Sequence, residues 1–321
     1  MTSRHETLTN KELVWNELLP DSFSGIRLPG STLLSVQDKF GALTIQEYNA
    51  PGFSLLYAVA ELHEPFAYKT KTDFSGWYQH ILLKGNQTAY SSSGLQWTLF
   101  KNQCIVLKSV SPEIITTFNK PGIYTSITIL FSTSLLEELL PFFPQLHEQY
   151  LSEKQIHYSV SPAFWSGIEI LDAVQSIINC TYETQLRQYF YDTRIKDILF
   201  YLMLQVSNTN NFEKQLSQKE IEAVTLAEQI ITKDITAHIR IPELAKKIAL
   251  NETTFKLAFK KVYGMGPYEY LILLRMKKAV IWLQEGKSVK ETAALTGYRP
   301  SDFTAAFIKH YGFKPSSVKK K

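Results

Sequence analysis

The sequence predicts an α+β protein in which a strand-rich first half precedes an all-α C-terminal domain. Short apolar runs separated by turn residues fill residues 53–131, with no helical pattern between them. Residues 241–315 carry the same helical pattern twice, at an offset of 48 residues. The charge is also divided, because residues 217–321 hold 19 Lys and Arg against 10 Asp and Glu in a chain of net charge +4. A basic end favours a polyanionic partner, although a solvated surface would account for the charge equally well.

Residues 1–160 are predicted to form an antiparallel β-barrel or sandwich. Strands are predicted at 53–62, 79–84, 95–100, 104–108 and 123–131. Glycine- and proline-containing turns such as 49–52 and 120–122 separate strands, whereas residues 1–50 give only weak signals. Several strands in succession without helices between them are typical of barrels and sandwiches, and such domains can enclose a ligand.

Aromatic side chains in this strand-rich region are candidates for a ligand pocket. They are Phe66, Tyr68, Phe74, Trp77, Tyr78 and Trp97. We predict that Trp77, Tyr78 and Trp97 line an effector pocket, but the same rings would also serve as a core. A cavity among the rings would favour a small-molecule ligand, whereas dense packing would favour a protein-interaction module.

Residues 161–211 are predicted to be a helical region that serves in dimerisation or as a linker. Ser161 and Pro162 fit an N-cap followed by proline at the first helical position. A second helix, 184–206, is apolar nearly all round in its second half and is expected to be buried on more than one side. Two arrangements would bury this apolar surface: packing of the helix against the strands, or pairing of the helix with a second copy of the chain. The polar residues 208–211 are typical of a linker.

The C-terminal domain, 217–321, contains the first copy of the repeat. Asn251 is a good N-cap for a helix that follows a short helix and a tight turn. The apolar spacing puts three residues on the inner face of this second helix, namely Phe255, Phe259 and Val262. The outer face then holds Thr253, Lys256, Leu257 and Lys260. Two helices joined by a short turn, with a polar and basic outer face on the second, predict a helix-turn-helix.

The second copy predicts another helix-turn-helix with a less basic surface. Its first helix has a capping box at Ser288 and Glu291. Its second helix is predicted to start near Pro300 and to carry Ser301, Thr304, Ala305 and a partly buried Ile308 on its outer face. Between the copies, 267–285 predict a helix about 28 Å long, which would set two recognition helices in successive major grooves of DNA. The alternative is a plain helical bundle without DNA contact.

Several other functions lack the sequence patterns they need. The seven histidines include no His-x-His pair, and there is no nucleophile elbow or phosphate loop. We therefore predict no metal, no cofactor and no enzymatic activity. Cys104 and Cys180 form no disulfide framework, and residues 1–15 lack the apolar core of a signal peptide. Since the longest apolar run, 198–204, is too short to span a membrane, a cytoplasmic protein is expected.

A set of residues in the repeat follows the order of a known family over about a third of the chain. These residues are Leu244, Ala245, Phe255, Phe259, Lys260, Lys261, Gly264, Pro267, Tyr270, Arg275, Ala279, Gly297, Tyr298, Phe303, Phe307, Gly312 and Pro315. In them the sequence resembles the AraC/XylS family of bacterial transcription regulators. The resemblance implies two helix-turn-helix units on promoter DNA, preceded by an effector-binding or dimerising domain that is often a cupin-like barrel followed by helices.

The resemblance also assigns roles to residues of the repeat. It puts base contacts on six residues, Thr253, Lys256 and Leu257 in the first copy and Ser301, Thr304 and Ala305 in the second. Three lysines are expected to contact phosphates, which position a protein without specifying sequence, namely Lys260, Lys261 and Lys309. Arg275 is expected to brace the connecting helix. This sequence departs from the family pattern in two ways: outer-face arginines are absent from both recognition helices, and Ala249 replaces a common turn glycine.

The chain is thus predicted to be a sequence-specific DNA-binding transcription regulator, controlled by a small-molecule effector in its N-terminal domain. An activator is the expected type, with repression left open, and siderophore or nutrient uptake genes are the expected targets. RNA polymerase is a candidate partner, and a homodimer is a candidate assembly. The alternatives make the N-terminal domain a protein-interaction module or a cupin-type enzyme.

Overall fold

The computed structural model describes most of the 321-residue chain, in the ranges 3–7, 15–20, 22–73, 75–91, 94–110, 113–152, 158–207 and 216–318. The chain divides into two compact units, Met1–Lys214 and Gln215–Lys321. Unit 1 holds the predicted strands and the helices that follow them, and unit 2 holds the repeat. The predicted linker at 208–211 and the side chain of Phe74 lie outside the described residues.

The described part of unit 1 contains two antiparallel sheets. The five-stranded sheet has the order β1 (Ser3–Thr7), β5 (Phe66–Thr72), β10 (Glu113–Phe118), β7 (Asn86–Ser91) and β8 (Gln96–Phe100). The seven-stranded sheet has the order β12 (Tyr158–Trp165), β9 (Gln103–Val110), β6 (Ser75–Lys84), β11 (Gly122–Ser132), β4 (Phe53–Leu62), β3 (Gly41–Ala50) and β2 (Thr32–Asp38). The predicted antiparallel domain is confirmed, and β4 has the predicted bounds.

The two sheets lie face to face as a sandwich. Side chains from both sheets form two apolar clusters, one around Tyr78 and Trp97 and the other around Leu43 and Tyr68. Among the described strands, no hydrogen bonding joins the two sheets into a closed barrel. Of the two predicted architectures, unit 1 therefore adopts the sandwich.

Helices cover the other face of the seven-stranded sheet. They are α1 (Thr133–Leu139), α2 (Pro144–Ser152), α3 (Ile168–Ile178) and α4 (Thr184–Ser207). Because successive strand residues point to opposite faces, the continuous apolar run of β4 is buried on both sides. Leu55 and Tyr57 face the helices, while Leu56 and Ala60 face the other sheet. Packing on the sheet accounts for one apolar side of α4, with Tyr191, Ile195, Ile198, Leu199, Leu202, Met203 and Val206.

The prediction that Ser161 and Pro162 begin a helix is wrong. Strand β12 runs through both residues and pairs with β9, and α3 begins only at Ile168, with Gly167 as its N-cap. β12 is an edge strand whose register shifts on either side of Ser161. Proline has no N–H to donate and is tolerated at such edges and irregularities, so the Ser-Pro pair does not identify a helix start here.

Residues 1–50 gave weak sequence signals although they contain the long strands β2 and β3. The reason lies in buried polar residues. Thr44 and Gln46 of β3 are buried, and they interrupt the apolar pattern that a sequence reading depends on. The Gln46 carboxamide oxygen accepts from the N–H of Leu28 at 2.7 Å, and its nitrogen donates to the carbonyl of Ile26 at 2.9 Å. These bonds satisfy the buried amide.

Unit 2 is helical throughout its described part, as predicted. Its helices are α5 (Gln218–Lys233), α6 (Ile241–Lys247), α7 (Glu252–Tyr263), α8 (Pro267–Gln284), α9 (Val289–Leu295) and α10 (Pro300–Tyr311). Capping boxes at Ser217 and Ser288 start α5 and α9. In the described part of the chain, no helix combines the length and the apolar character needed to cross a membrane.

Candidate nucleic-acid interface and effector cavity

The first helix-turn-helix consists of α6 and α7, joined by a turn at 248–251. Ala245 of α6 is buried. The side chain of Asn251 caps α7 by accepting a hydrogen bond from the N–H of Thr254 at 2.8 Å. Ala249 has a φ of +55°, so an alanine occupies the left-handed conformation that glycine adopts at lower cost.

α7 presents the predicted outer face to solvent. Phe255 and Phe259 are fully buried, with 5.7 Å between their ring centroids. The opposite side exposes Thr253, Lys256, Leu257 and Lys260. Leu257 is 66% exposed and therefore plays no part in the core. The ammonium of Lys256 lies 3.8 Å from the carboxylate of Glu252, an exposed pair that contributes little stability and leaves the lysine able to take another partner.

The second helix-turn-helix consists of α9 and α10. The hydroxyl of Ser288 accepts from the N–H of Glu291 at 3.2 Å, while the Glu291 carboxylate accepts from the N–H of Ser288 at 2.8 Å. The Ser288 hydroxyl also donates to the Glu291 carboxylate at 2.7 Å, and this hydrogen bond, followed by the one from the main-chain N–H, lowers the pKa of Glu291. Gly297 has a φ of +74°, and a Cβ there would lie 2.6 Å from the carbonyl oxygen of Thr236. Two phenylalanines again fill the core, Phe303 and Phe307.

α10 presents a less basic face than α7. Ser301 and Ala305 are exposed, but Thr304 is half-buried and its hydroxyl donates to the carbonyl of Pro300 at 3.0 Å. The hydroxyl of Ser301 lies 3.3 Å from the carboxylate of Asp302. The candidate base contacts of this copy are therefore small side chains that are partly engaged within their own helix.

The candidate phosphate contacts lie toward the C-terminal ends of the two recognition helices. Lys260 and Lys309 are exposed, and Lys261 is half-buried. Ile308, 37% exposed, occupies the place on α10 that Lys260 holds on α7. Positive charge is consequently concentrated on the recognition helix of the first copy.

The connecting helix α8 is braced by one buried arginine. Arg275 is 7% exposed, and its Nε donates to the carbonyl of Ile235 at 2.6 Å. Its Nη2 donates to the carbonyls of Thr236 and Ala237, each at 3.1 Å. The guanidinium carbon also lies 5.0 Å from the ring centroid of Tyr298. The predicted bracing role is confirmed, because Arg275 joins α8 to the segment after α5 and to the second copy.

A second anchor joins α8 to α5. The Tyr270 hydroxyl donates to the Glu228 carboxylate at 3.2 Å, and Glu228 is only 8% exposed. Burial, followed by the charge of Glu228, raises the pKa of Tyr270, so the phenol keeps its proton. The connecting helix is thereby fixed to the helix that precedes the first copy.

A cavity lies between the two sheets of unit 1, beside only one of the predicted effector residues. Tyr78 lines the cavity. Trp77 is its neighbour on β6 and points to the opposite face, where it packs among the helices. Trp97 is buried between the sheets but outside the cavity lining. The three predicted residues therefore do not form one pocket.

Most of the polar lining of this cavity was missed by sequence reasoning. Beside Tyr68 and Tyr78, which the sequence analysis named, the polar members are Thr70, His80, Thr116, Ser126 and Thr128. The alternation of polar and apolar residues over 126–129 could have indicated it, because a period of two puts Ser126 and Thr128 on one strand face.

His80 is the titratable centre of the lining. Its Nδ1 lies 2.8 Å from the hydroxyl of Thr128, and its Nε2 contacts the side-chain amide of Gln87. Burial lowers the pKa of His80 to about 4, so the imidazole is neutral at physiological pH. Among the described residues, no group of three or more His, Cys, Asp or Glu side chains is arranged to hold a metal ion.

Similarity to known proteins is concentrated in unit 2. Residues 244–321 match the model of a helix-turn-helix domain family. The chain is 28% identical over 99 residues to the Msm operon regulatory protein of Streptococcus mutans, across 30% of this chain and 36% of that protein. The matched segment thus spans about a third of the length of this relative.

Two solved structures align with most of the chain, but only loosely. The AraC-like transcriptional activator CuxR is 11% identical, over 87% of this chain and 90% of that chain, with a TM-score of 0.36. The second is ToxT from Vibrio cholerae O395 bound to (E)-4-(8-methylnaphthalen-1-yl)but-3-enoic acid. It is 14% identical over 83% of this chain and 97% of that chain, with a TM-score of 0.34. TM-scores below 0.5 support no inference about this chain.

The residues matched by the family model cover both helix-turn-helix units except for the first residues of α6. The same segment contains all of the residues that carry the resemblance found in the sequence, from Leu244 to Pro315. The predicted resemblance is thereby confirmed for the C-terminal helix-turn-helix domain.

Proposed function

We propose that the chain is a transcription regulator that binds promoter DNA through the exposed faces of α7 and α10. The observation that carries the proposal is the pair of helix-turn-helix units braced on one connecting helix, each with an outward face that the core does not use. α8 is about 27 Å long and one turn of B-DNA is about 34 Å, so the two recognition helices suit successive major grooves on one side of a duplex.

We assign most of the base reading to α7. The Lys256 ammonium can donate to guanine O6 and N7, and the exposed Leu257 suits the methyl group of thymine. On α10 the Thr304 hydroxyl already donates to a main-chain carbonyl, which leaves it only acceptor capacity for a base. Thr253, Ser301 and Ala305 complete the proposed base-facing set.

The proposed phosphate contacts are Lys260, Lys261 and Lys309. A lysine that neutralises a phosphate releases condensed counterions, so binding weakens as salt rises. The excess of Lys and Arg over Asp and Glu in residues 217–321 supports this sequence-independent part of the affinity.

The test is selection of duplexes from a random pool by the full chain, followed by fluorescence anisotropy over a salt series. We expect a shared sequence with two half-sites about one turn apart and a steep loss of affinity with salt. Lys260→Ala should lower the salt slope by about 1, whereas Lys219→Ala at the start of α5 serves as the matched control. Absence of a selected sequence, together with salt-independent binding, would refute the proposal.

Unit 1 is proposed to be the regulatory domain, with a small-molecule effector in the cavity between the sheets. Its support is a polar cavity within an otherwise apolar layer. Siderophore or nutrient uptake genes are the proposed targets, and genome-wide mapping of bound DNA tests this through the adjacent genes. Transcription in vitro with purified RNA polymerase distinguishes activation, which we propose, from repression.

A homodimer through the exposed side of α4 is the proposed assembly. Leu186, Tyr189, Phe200 and Leu204 are 59%, 73%, 43% and 41% exposed. Their positions along α4 are nearly symmetric about residue 195. When the α4 helices of two copies pair in antiparallel orientation, Leu186 therefore lies beside the partner's Leu204, and the contact is isologous. Sedimentation velocity should show a dimer for the wild type and for Ile123→Glu, on β11, but a monomer for Tyr189→Glu.

A further inference from the structure

The recognition helix of the first copy carries a carboxylate and an ammonium side by side. Glu252 is the first residue of α7, and Lys256 lies one turn further along the helix. Nζ of Lys256 is 3.8 Å from Oε2 of Glu252, and about half of each side chain is exposed. Residues four apart lie on the same side of a helix. The two opposite charges therefore lie together at the start of the proposed base-reading surface.

The second copy has neither member of this pair. At the offset of 48 residues, Pro300 corresponds to Glu252 and Thr304 corresponds to Lys256. Proline and threonine carry no charge, and the threonine is half-buried. Of the two recognition helices, only α7 holds the pair, so a base preference that depends on the pair would distinguish the first half-site from the second.

A carboxylate at this place disfavours DNA binding unless it has a partner of its own on the duplex. DNA carries one negative charge for about every 1.7 Å of its axis. Glu252 would face it from the N-terminal end of the recognition helix, which is the end that contacts base edges. Helix stabilisation is one explanation for the residue, because an acidic side chain in the first turn interacts favourably with the helix dipole. The other explanation is a contact with cytosine, whose N4 amino group donates to glutamate in the major groove.

The two charges together match the major-groove edge of one G·C base pair. Guanine presents the acceptors O6 and N7 there, and cytosine presents the donor N4. Because N4 of cytosine donates to O6 of guanine within the pair, these two atoms lie about 2.9 Å apart. An ammonium and a carboxylate that are 3.8 Å apart can therefore contact both bases of the pair at once, with Lys256 donating to guanine and Glu252 accepting from cytosine.

We propose that Glu252 is a specificity-determining residue, which together with Lys256 reads a single G·C base pair in one orientation. The assignment rests on the proposed function, in which α7 lies in the major groove. In the reversed C·G pair, the cytosine amino group would face the ammonium and guanine O6 would face the carboxylate, so neither hydrogen bond forms. A T·A pair keeps the order of acceptor and donor but lacks N7 of guanine, and it is the intermediate case.

The test is fluorescence anisotropy of the full chain with the selected duplex, in which each G·C pair is reversed in turn. For the wild type we expect one position at which reversal raises the Kd about 100-fold, about tenfold for each of the two contacts. Replacement of the same pair by T·A should raise the Kd less. A selected sequence in which no reversal stands out in this way would overturn the assignment.

Two variants locate the contacts. Glu252→Ala should lower the reversal penalty at this position about tenfold and leave the penalties at the other positions unaltered. Lys256→Ala should lower the penalty at the same base pair, and changes at two different base pairs would contradict reading of a single pair. The penalty is a ratio of two Kd values of one variant, so a partly unfolded preparation does not imitate its loss.

The matched control removes the same charge from the neighbouring helix. Glu243, in the first turn of α6, also forms an exposed ion pair, with Arg240 at 3.1 Å. Glu243→Ala should leave every reversal penalty as it is in the wild type. If Glu252 only stabilises α7 or repels phosphates, Glu252→Ala will change the affinity for all duplexes by the same factor, and the assignment is then wrong.

Failure of this assignment and failure of the proposed function give different results. Sequence-selective and salt-sensitive binding by the wild type, with a uniform effect of Glu252→Ala, overturns the assignment and leaves the regulator proposal intact. Salt-independent binding without a selected sequence overturns both.

Discussion

The guanidinium carbon of Arg275 lies 5.0 Å from the ring centroid of Tyr298 and thereby links the connecting helix to the second copy of the repeat. The same guanidinium donates to the carbonyls of residues 235–237. Gly297 precedes Tyr298, and its lack of a Cβ lets the carbonyl of Thr236 approach. One buried arginine thus holds the segment after α5, the connecting helix and the second helix-turn-helix in one geometry.

Replacing Arg275 by methionine should loosen that geometry. Arg275→Met keeps a long apolar stem but leaves three main-chain carbonyls without their donors, and we expect a loss of about 3 kcal/mol of unfolding free energy for unit 2. Hydrogen–deuterium exchange of the full chain should show faster exchange over 289–311. The control is Arg299→Met, at an exposed position before α10. Equal exchange in the two variants would contradict the bracing role.

Ala249→Gly should stabilise unit 2. Ala249 is exposed and has a φ of +55°, so glycine removes backbone strain without losing buried contacts. The left-handed conformation costs alanine roughly 1–2 kcal/mol, and the extra freedom of glycine in the unfolded chain offsets part of the gain, which leaves about 0.5–1 kcal/mol. Calorimetry of the full chain would show a higher Tm for the unit 2 transition. The control Ala294→Gly places glycine inside α9, where it disfavours the helix, and should lower the Tm of the unit 2 transition.

Unit 2 could be predicted closely from sequence because its signals are local. The capping boxes, the N-cap at Asn251 and the buried Phe255 and Phe259 each follow from residues within one or two helical turns. The contacts of Arg275 with residues 235–237 are not local, and only the resemblance to a family suggested a bracing role.

Unit 1 was harder to predict because its pattern depends on strands that are distant in sequence. β5 pairs with β1 and β10, so no single segment indicates the second sheet. The effector prediction joined Trp77 with Tyr78, although neighbouring residues on a strand face opposite sides. The polar lining of the cavity comes from four strands, and threonine is also a common strand former, so the hydroxyl groups gave no separate signal.

Lys256→Ala should relax base preference, whereas Lys260→Ala should weaken binding to all sequences alike. Lys256 lies on the exposed face nearer the start of α7, where base edges are contacted, and Lys260 lies a turn further on. Loss of a lysine contact to guanine should reduce discrimination at that base pair by about tenfold. Anisotropy with the selected duplex and single-base variants measures both effects. If Thr304→Ala costs as much discrimination as Lys256→Ala, the ranking of α7 above α10 is wrong.

Acid should destabilise unit 1 through His80. Burial holds the pKa of this imidazole at about 4 in the folded chain, below its usual 6.5. Between these values the unfolded chain binds a proton that the folded chain does not, so the free energy of unfolding falls as the pH drops from 6.5 toward 4. A shift of this size corresponds to about 3 kcal/mol once the pH is below 4.

The difference between the wild type and His80→Gln isolates this effect from the titration of carboxylates. Glutamine can keep a hydrogen bond to Thr128 but does not titrate, so the variant should lack the His80 part of the acid loss. Four of the five tryptophans lie in unit 1, and Trp282→Phe in both proteins removes the signal of unit 2. Urea unfolding followed by tryptophan fluorescence at pH 7.5, 6, 5 and 4 then gives the two stability curves. Parallel curves would show that His80 takes up its proton in the folded state as readily as in the unfolded one, whereas curves that separate only below pH 6.5 would support its burial as the cause.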